Sequence, residues 1–350
     1  MKRSIDEYNH PSAWHGPDMA TRTDWVLQLD GGDIAELEGA LARAKDCRKE
    51  LVAVSKADFV IPRLAAKLEA ALGELEDGRG FVLLRGLPIE RYSSEDAALI
   101  YWGIGMHFGS PCAQNARGEM LGHVRDTGVD YRVDMNARGY QTRAALRFHT
   151  DSTDLVGLLC VNKAKSGGLS RIVSSTAIHN EFVARHQELC DVMYEPFFVD
   201  RRGEQPEGQK PYYVTPCFNY FRGRLLIRYN HTYIASAQRF PDVPRLSSKQ
   251  LAALELMDNL CNDPRFYLDM TFEPGDMQFI CNYVILHSRT EYEDHPEPER
   301  KRHLLRLWLR SPGFAELPDA FAERNQDMIA WQQARVSTSF GFHQPSSLSH

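Results

Sequence analysis

From about residue 80 onward the chain is written in short β-type runs, each closed by turn residues. "FVLLRGLP" (81–88), "LVGLLCV" (155–161), "SRIVSS" (170–175) and "RLLIRYNHTYI" (224–234) all have this form. "RFYLDMTF" (265–272) alternates cleanly: Phe266, Leu268, Met270 and Phe272 share one face, Tyr267, Asp269 and Thr271 the other. Pro274-Gly275-Asp276 then turns the chain into "MQFICNYVILH" (277–287), and "HLLRLWLR" (303–310) is the last strong strand. Helical signals are fewer. Leu64, Leu68, Leu72 and Leu75 recur at helical spacing after Pro62, a second helix follows Ser93-Ser94, and another begins near Thr176. Ser247 and Gln250 make a capping-box start for one more. Tandem βαβ units would need helices alternating regularly with strands, which these do not. The pattern predicts a mainly β fold with flanking helices (α+β) around a double-stranded β-helix, or jelly-roll, core. Residues 1–30 lack periodicity and read as a loose N-terminal arm, leaving 31–350 as a single domain with helical insertions.

Charge and composition bound what such a domain can do. A net charge of −6 argues against a general nucleic-acid binder. The apolar runs fall well short of the ~20 residues a membrane helix requires. "MKRSIDEYNHPSAWHG" has no apolar stretch of the secretory kind. The seven cysteines are scattered without a CxxC and read as reduced thiols. The expectation is a cytoplasmic protein acting on a freely diffusing small molecule, with a homodimer as the default assembly.

"RFHTDSTD" (147–154) places His149 and Asp151 two residues apart, so on an extended segment both project to the same side. His287 offers a third ligand from the end of an apolar strand, where rigid scaffold meets open space. Two histidines and one carboxylate are the facial triad that leaves open positions on Fe(II). In "HLLRLWLR", Leu305, Leu307 and Leu309 share a face suited to packing under helices, while Leu304, Arg306 and Trp308 share the other. An arginine between Leu and Trp is costly there unless it meets an anion. That anion is either a structural carboxylate or the far carboxylate of a bound co-substrate.

Five elements in order, "GRGFVLLRGLP", "FHTDSTD", "KSGGLSRIVSS", "FEPGDMQFICNYVILHSRT" and "RKRHLLRLWLR", resemble the taurine dioxygenase-like Fe(II)/2-oxoglutarate-dependent oxygenases, which include clavaminate synthase. The resemblance spans roughly residues 80–312. It implies Fe(II) on His149, Asp151 and His287, and Arg306 paired with the far carboxylate of 2-oxoglutarate. Ser170 would assist that carboxylate, although Leu169 stands after the Gly167-Gly168 pair where many members have Asp. Arg302 and Arg310 compete for the Arg306 role, since period-2 spacing puts all three on one face. The implied reaction consumes 2-oxoglutarate and O2, releases succinate and CO2, and oxidises a substrate C–H bond by hydroxylation, desaturation, cyclisation or oxidative cleavage. With Asp151 present, halogenation is disfavoured. The alternative is a zinc-dependent hydrolase using the same three ligands, which leaves Arg306 without a role. A non-catalytic jelly-roll binding protein would make the ordered set a coincidence.

Further candidates are Asn282, as a pocket-lining residue, and Arg228 and Asn230, as contacts to a polar substrate. His231 reads as a structural histidine and Asp154 as a solvated loop residue, while His295 and His303 are not expected to be ligands. "DGGD" (30–33) lacks the Lys-Ser/Thr tail of a phosphate loop. The arginines and tyrosines of residues 132–147 point to a polar or anionic substrate.

Overall fold

A computed structural model describes residues 5–129 and 138–333 as a mixed α+β structure with two principal sheets. The larger sheet runs Val26–Gln28, Phe81–Arg85, Met277–Cys281, Leu155–Asn162, His303–Arg310 and Ser110–Pro111, with Leu121–Val124 also paired to His303–Arg310. Its first pair is parallel and the rest are antiparallel. The smaller sheet is antiparallel, in the order Tyr267–Met270, Ser170–Ser174, Ile285–Arg289, Leu146–His149.

Strand position explains strand composition. Met277–Cys281 lies mid-sheet, is buried along its whole length and is apolar except for Gln278. The expected alternation of residues 265–272 also holds, with Phe266, Leu268, Met270 and Phe272 all buried. The helices Pro62–Glu76 and Ser94–Gly105 pack against the larger sheet. Leu64, Leu68 and Leu75 are fully buried, each worth about 1.5–3 kcal/mol by transfer. At Gly105 a Cβ would fall 2.6 Å from Leu307 Cδ1, so this glycine lets the second helix sit close on the Leu305, Leu307 and Leu309 face.

The structure departs from the sequence expectations for the fold in three places. Residues 5–30 are not a loose arm. They form a helix at Gly16–Ala20 and an edge strand at Val26–Gln28, with Trp14, Met19 and Leu29 in the core. Elements this short carry no period and take their order from the sheet they join. "RLLIRYNHTYI" is a strand only to Ile227; a helix, His231–Ala237, follows because the Asn230 side chain caps it by accepting from Tyr233 N. "MQFICNYVILH" breaks at a turn into two strands, Met277–Cys281 in the larger sheet and Ile285–Arg289 in the smaller. "DGGD" opens the helix Gly31–Asp46, with Asp30 and Asp33 forming a reciprocal capping box. Residues 130–137, which include the first residues of the 132–147 segment, lie outside the described residues. Among the described residues no helix is long and apolar enough to cross a membrane.

Candidate metal centre

His149 ends one strand of the smaller sheet and His287 sits on its neighbour, directly opposite it in the antiparallel register. Cross-strand partners project to the same face, so the two imidazoles meet, with ring centroids 4.3 Å apart. Asp151, two residues past His149, completes the group: one ligand atom from each of the three lies within 4.8 Å of the others. The sequence-predicted trio is therefore brought together.

Its hydrogen bonds aim it. His149 Nδ1 lies 2.8 Å from the Arg147 carbonyl, which can only accept, so Nδ1 donates there and Nε2 faces the cluster. That Nε2 is 3.9 Å from Asp151 Oδ1. Asp151 Oδ2 accepts from Trp308 Nε1 at 2.9 Å and Arg306 Nη1 at 3.2 Å, leaving Oδ1 toward the histidines. The Asp151 backbone N–H donates to Asn282 Oδ1 at 3.0 Å. Burial pushes the Asp151 carboxyl up, but Arg306, the two histidines and the Trp308 hydrogen bond outweigh it and hold it at about 2. Burial, with the neighbouring His149, lowers His287 to about 3, so its imidazole is neutral. Buried His287 Nδ1 has no hydrogen-bond partner among the described residues. Two imidazoles, that of His287 held neutral, converging on an ionised carboxylate suit a divalent cation in donor type.

The trio opens on a cavity of about 140 Å³ between the sheets. Leu304, Arg306 and Trp308 line it from the larger sheet, Leu146, Ser170 and Arg289 from the smaller. Arg306 is held on two sides: Nε donates to Gln114 Oε1 at 2.7 Å and Nη1 to Asp151, Gln114 Nε2 donates back to the Arg306 carbonyl at 2.8 Å, and the guanidinium carbon lies 4.7 Å from the Tyr140 ring centroid. Arg302, in the same lining, is buried with its guanidinium carbon 5.0 Å from the Tyr292 ring centroid and Nη1 without a hydrogen-bond partner among the described residues, and burial lowers its pKa. Its neighbourhood depends on Gly167 and Gly168, both at positive φ; a Cβ on Gly168 would fall 3.1 Å from Arg302 Nε. Ser170 follows, two residues along the sheet from the His287 level, opposite Arg289.

The chain matches the taurine catabolism dioxygenase TauD, TfdA family over residues 44–308. The chain belongs to this family. As a TauD/TfdA-family member it is an oxidoreductase that depends on Fe(II) and 2-oxoglutarate. It is 30% identical to FR-33289 synthase of Streptomyces rubellomurinus, over 91% of this chain and 95% of the relative. It is 29% identical to a taurine hydroxylase-like protein of Stachybotrys chartarum, over 92% of this chain and 87% of that one. In fold it is similar to an asparagine oxygenase solved with Fe(II), a hydroxyasparagine and succinate, at TM-score 0.63, 16% identity and coverage of 82% and 93%.

The remaining sequence candidates divide. Arg228 and Asn230 line the cavity, Asn230 bridged to His149. Asn282 is buried behind Asp151 and is not among the lining residues; its side chain holds the Asp151 backbone instead of facing the pocket. His231 is structural, its Nδ1 2.7 Å from Asp258 Oδ2. Asp154 is not a solvated loop residue: it is buried, accepting from Tyr283 Oη at 2.6 Å and Ser311 N at 2.9 Å. His303 stacks on His123, and Arg310 lies outside the lining. Sequence reasoning missed Gln114 and Arg324. The strand pattern puts Trp308 on the Arg306 face without marking it as a partner of Asp151.

Proposed function

We propose that this family member holds Fe(II) on His149, Asp151 and His287 and oxidises a C–H bond of a small polar molecule within a jelly-roll core formed by the two facing sheets. The observation that carries this reading is the aimed trio sharing one cavity with a buried arginine, Arg302, whose Nη1 is unmet. When bound, Fe(II) with 2-oxoglutarate and O2 supplies the oxidation, succinate and CO2 leaving beside the product. The chain's own residues do the rest. Trp308 and Arg306 fix the outer oxygen of Asp151, Gln114 fixes Arg306, and Asn282 fixes the Asp151 backbone. Apolar side chains of Leu146, Val156, Leu158 and Phe197 limit water around the reacting centre.

For the far carboxylate of 2-oxoglutarate, Arg302 is better placed than Arg306. The Nε and Nη1 of Arg306 already serve Gln114 and Asp151, which fits the alternative of a structural carboxylate partner. Arg302 has an unmet donor at the end of the cavity shared with Ser170, away from the trio, where the far carboxylate would sit. A zinc hydrolase would use the same trio but has no need of that arginine. The test is succinate release from 2-oxoglutarate with Fe(II) and ascorbate, for wild type beside His149→Ala and Arg302→Gln. Slow turnover lost in the histidine variant, and regained in the arginine variant at high 2-oxoglutarate, is the expected result. No succinate even with a broad substrate mixture, together with stoichiometric zinc in the purified protein, would decide for the hydrolase.

A further inference from the structure

Across His149 from the Arg302 end, the cavity wall carries a second pair of cations. The backbone following the strand Arg224–Ile227 runs antiparallel beside His149, bridged at Asn230. That register sets Arg228 opposite Asp151, and both side chains reach the cavity. Arg228 is 5% exposed. Its Nη1 makes one long hydrogen bond, 3.4 Å to the Phe321 carbonyl, its guanidinium carbon lies 4.5 Å from the Phe321 ring centroid, and its Nη2 has no hydrogen-bond partner among the described residues. Among the described residues no carboxylate lies within ion-pair distance of it; Asp154, which feels its charge, is taken by Tyr283 and Ser311.

One helical turn beyond Phe321, on the helix Asp319–Gln333, Arg324 lines the same cavity and is 3% exposed. Its Nη1 donates to Asp327 at 2.8 Å, its Nε has no partner, and Asp327 is shared with Arg201. Burial lowers Arg324 to about 10, the Arg138 and Arg201 charges acting in the same direction. Arg138, also in the lining, is by contrast met by Glu204 at 2.6 Å and Tyr233 Oη at 3.1 Å. Two buried guanidiniums with unmet donors line this one cavity, Arg228 against Phe321 and Arg324 one helical turn past Phe321, and they are costly unless an anion comes to them.

We propose that Arg228 and Arg324 form a subsite that seats an oxyanion group of the substrate, on the flank of the metal trio opposite Arg302 and Ser170. Carboxylate, sulfonate and phosphonate groups share the needed chemistry: oxygens that accept from a guanidinium edge under negative charge. Calling the anion the substrate's rests on the oxygenase reading; the anion site does not.

The experiment is anaerobic calorimetry on the Fe(II)-loaded protein. 2-Oxoglutarate is titrated first; propionate, ethanesulfonate, ethylphosphonate and neutral propionamide are then titrated into the 2-oxoglutarate-saturated protein. At least one anion is expected to bind about tenfold or more tighter than propionamide. Arg228→Gln and Arg324→Gln should each weaken it by about tenfold while leaving 2-oxoglutarate within about twofold; Arg302→Gln should do the reverse. The preferred anion identifies the head group. The proposal is overturned if no anion outbinds propionamide, if binding survives both variants, or if it follows Arg302 alone. Arg228→Leu guards against misfolding: removing an unmet buried cation should leave the thermal midpoint at or above wild type, and a drop of several degrees would mark Arg228 as structural and overturn the proposal. If 2-oxoglutarate gives no heat while anion binding still follows Arg228, the oxygenase reading falls and the subsite stands.

Discussion

Arg306 and Arg302 stand four residues apart at one wall of the cavity and are similarly buried, 9% and 5% exposed, yet their surroundings are opposite. Arg306 is locked between Gln114, Asp151 and the Tyr140 ring. Arg302 keeps Nη1 unmet, as Arg228 keeps Nη2 on the facing wall. Burial does not separate these side chains; the census of their donors does. A buried cation whose donors are met is part of the scaffold, and one whose donors are open is a socket for an anion.

The comparison can be broken at its centre first. His287→Ala should weaken iron binding by more than about 100-fold, beyond the loss typical of residues that only orient ligands; metal content after dialysis checks it. Next, Arg302→Gln should raise the 2-oxoglutarate dissociation constant by about 30-fold or more with iron affinity unchanged, as expected for losing the partner of a desolvated charge. Were Arg306→Gln to produce that loss and Arg302→Gln not, the two roles would have to be exchanged. Trp308→Phe and Gln114→Ala should each cost about tenfold in iron affinity and leave 2-oxoglutarate binding alone, because they act through Asp151; competition with a chelator reads this.

The smallest effect lies at the edge of the site. Burial, then the neighbouring His123 and Arg125, lower His303 to about 3. An unfolded histidine takes its proton near 6.5, so below that pH the unfolded state binds more protons. Stability therefore falls as pH drops from about 6.5 toward 3. In His303→Phe the thermal midpoint should fall less steeply between about pH 7 and 5; a slope equal to wild type would mean the pair is already solvated.

The metal trio was legible because period-2 spacing and a strand end are local signals, and both survive folding unchanged. The faces of residues 265–272 and 303–310 were legible for the same reason. The role of Arg306 was harder. Leu and Trp neighbours announce burial, but only the arrival of Gln114 from a distant segment decides which donors remain open. Arg324 gave no signal at all, because the helix that carries it is polar along most of its length and its buried turn is set by the cavity wall. The helix at His231 was hidden by apolar residues that read equally well as strand, and the capping Asn230 was its one local clue.

Because His149 and His287 face each other across two strands from opposite halves of the chain, an ion held between them would tie those halves together. A slip of one residue between these strands would turn one imidazole to the far side of the sheet while leaving a ladder of backbone hydrogen bonds behind. Such a molecule could still be compact and look folded by its secondary structure, yet it would have no grip on metal. Iron retained per chain is therefore a count of molecules whose strands have found their register.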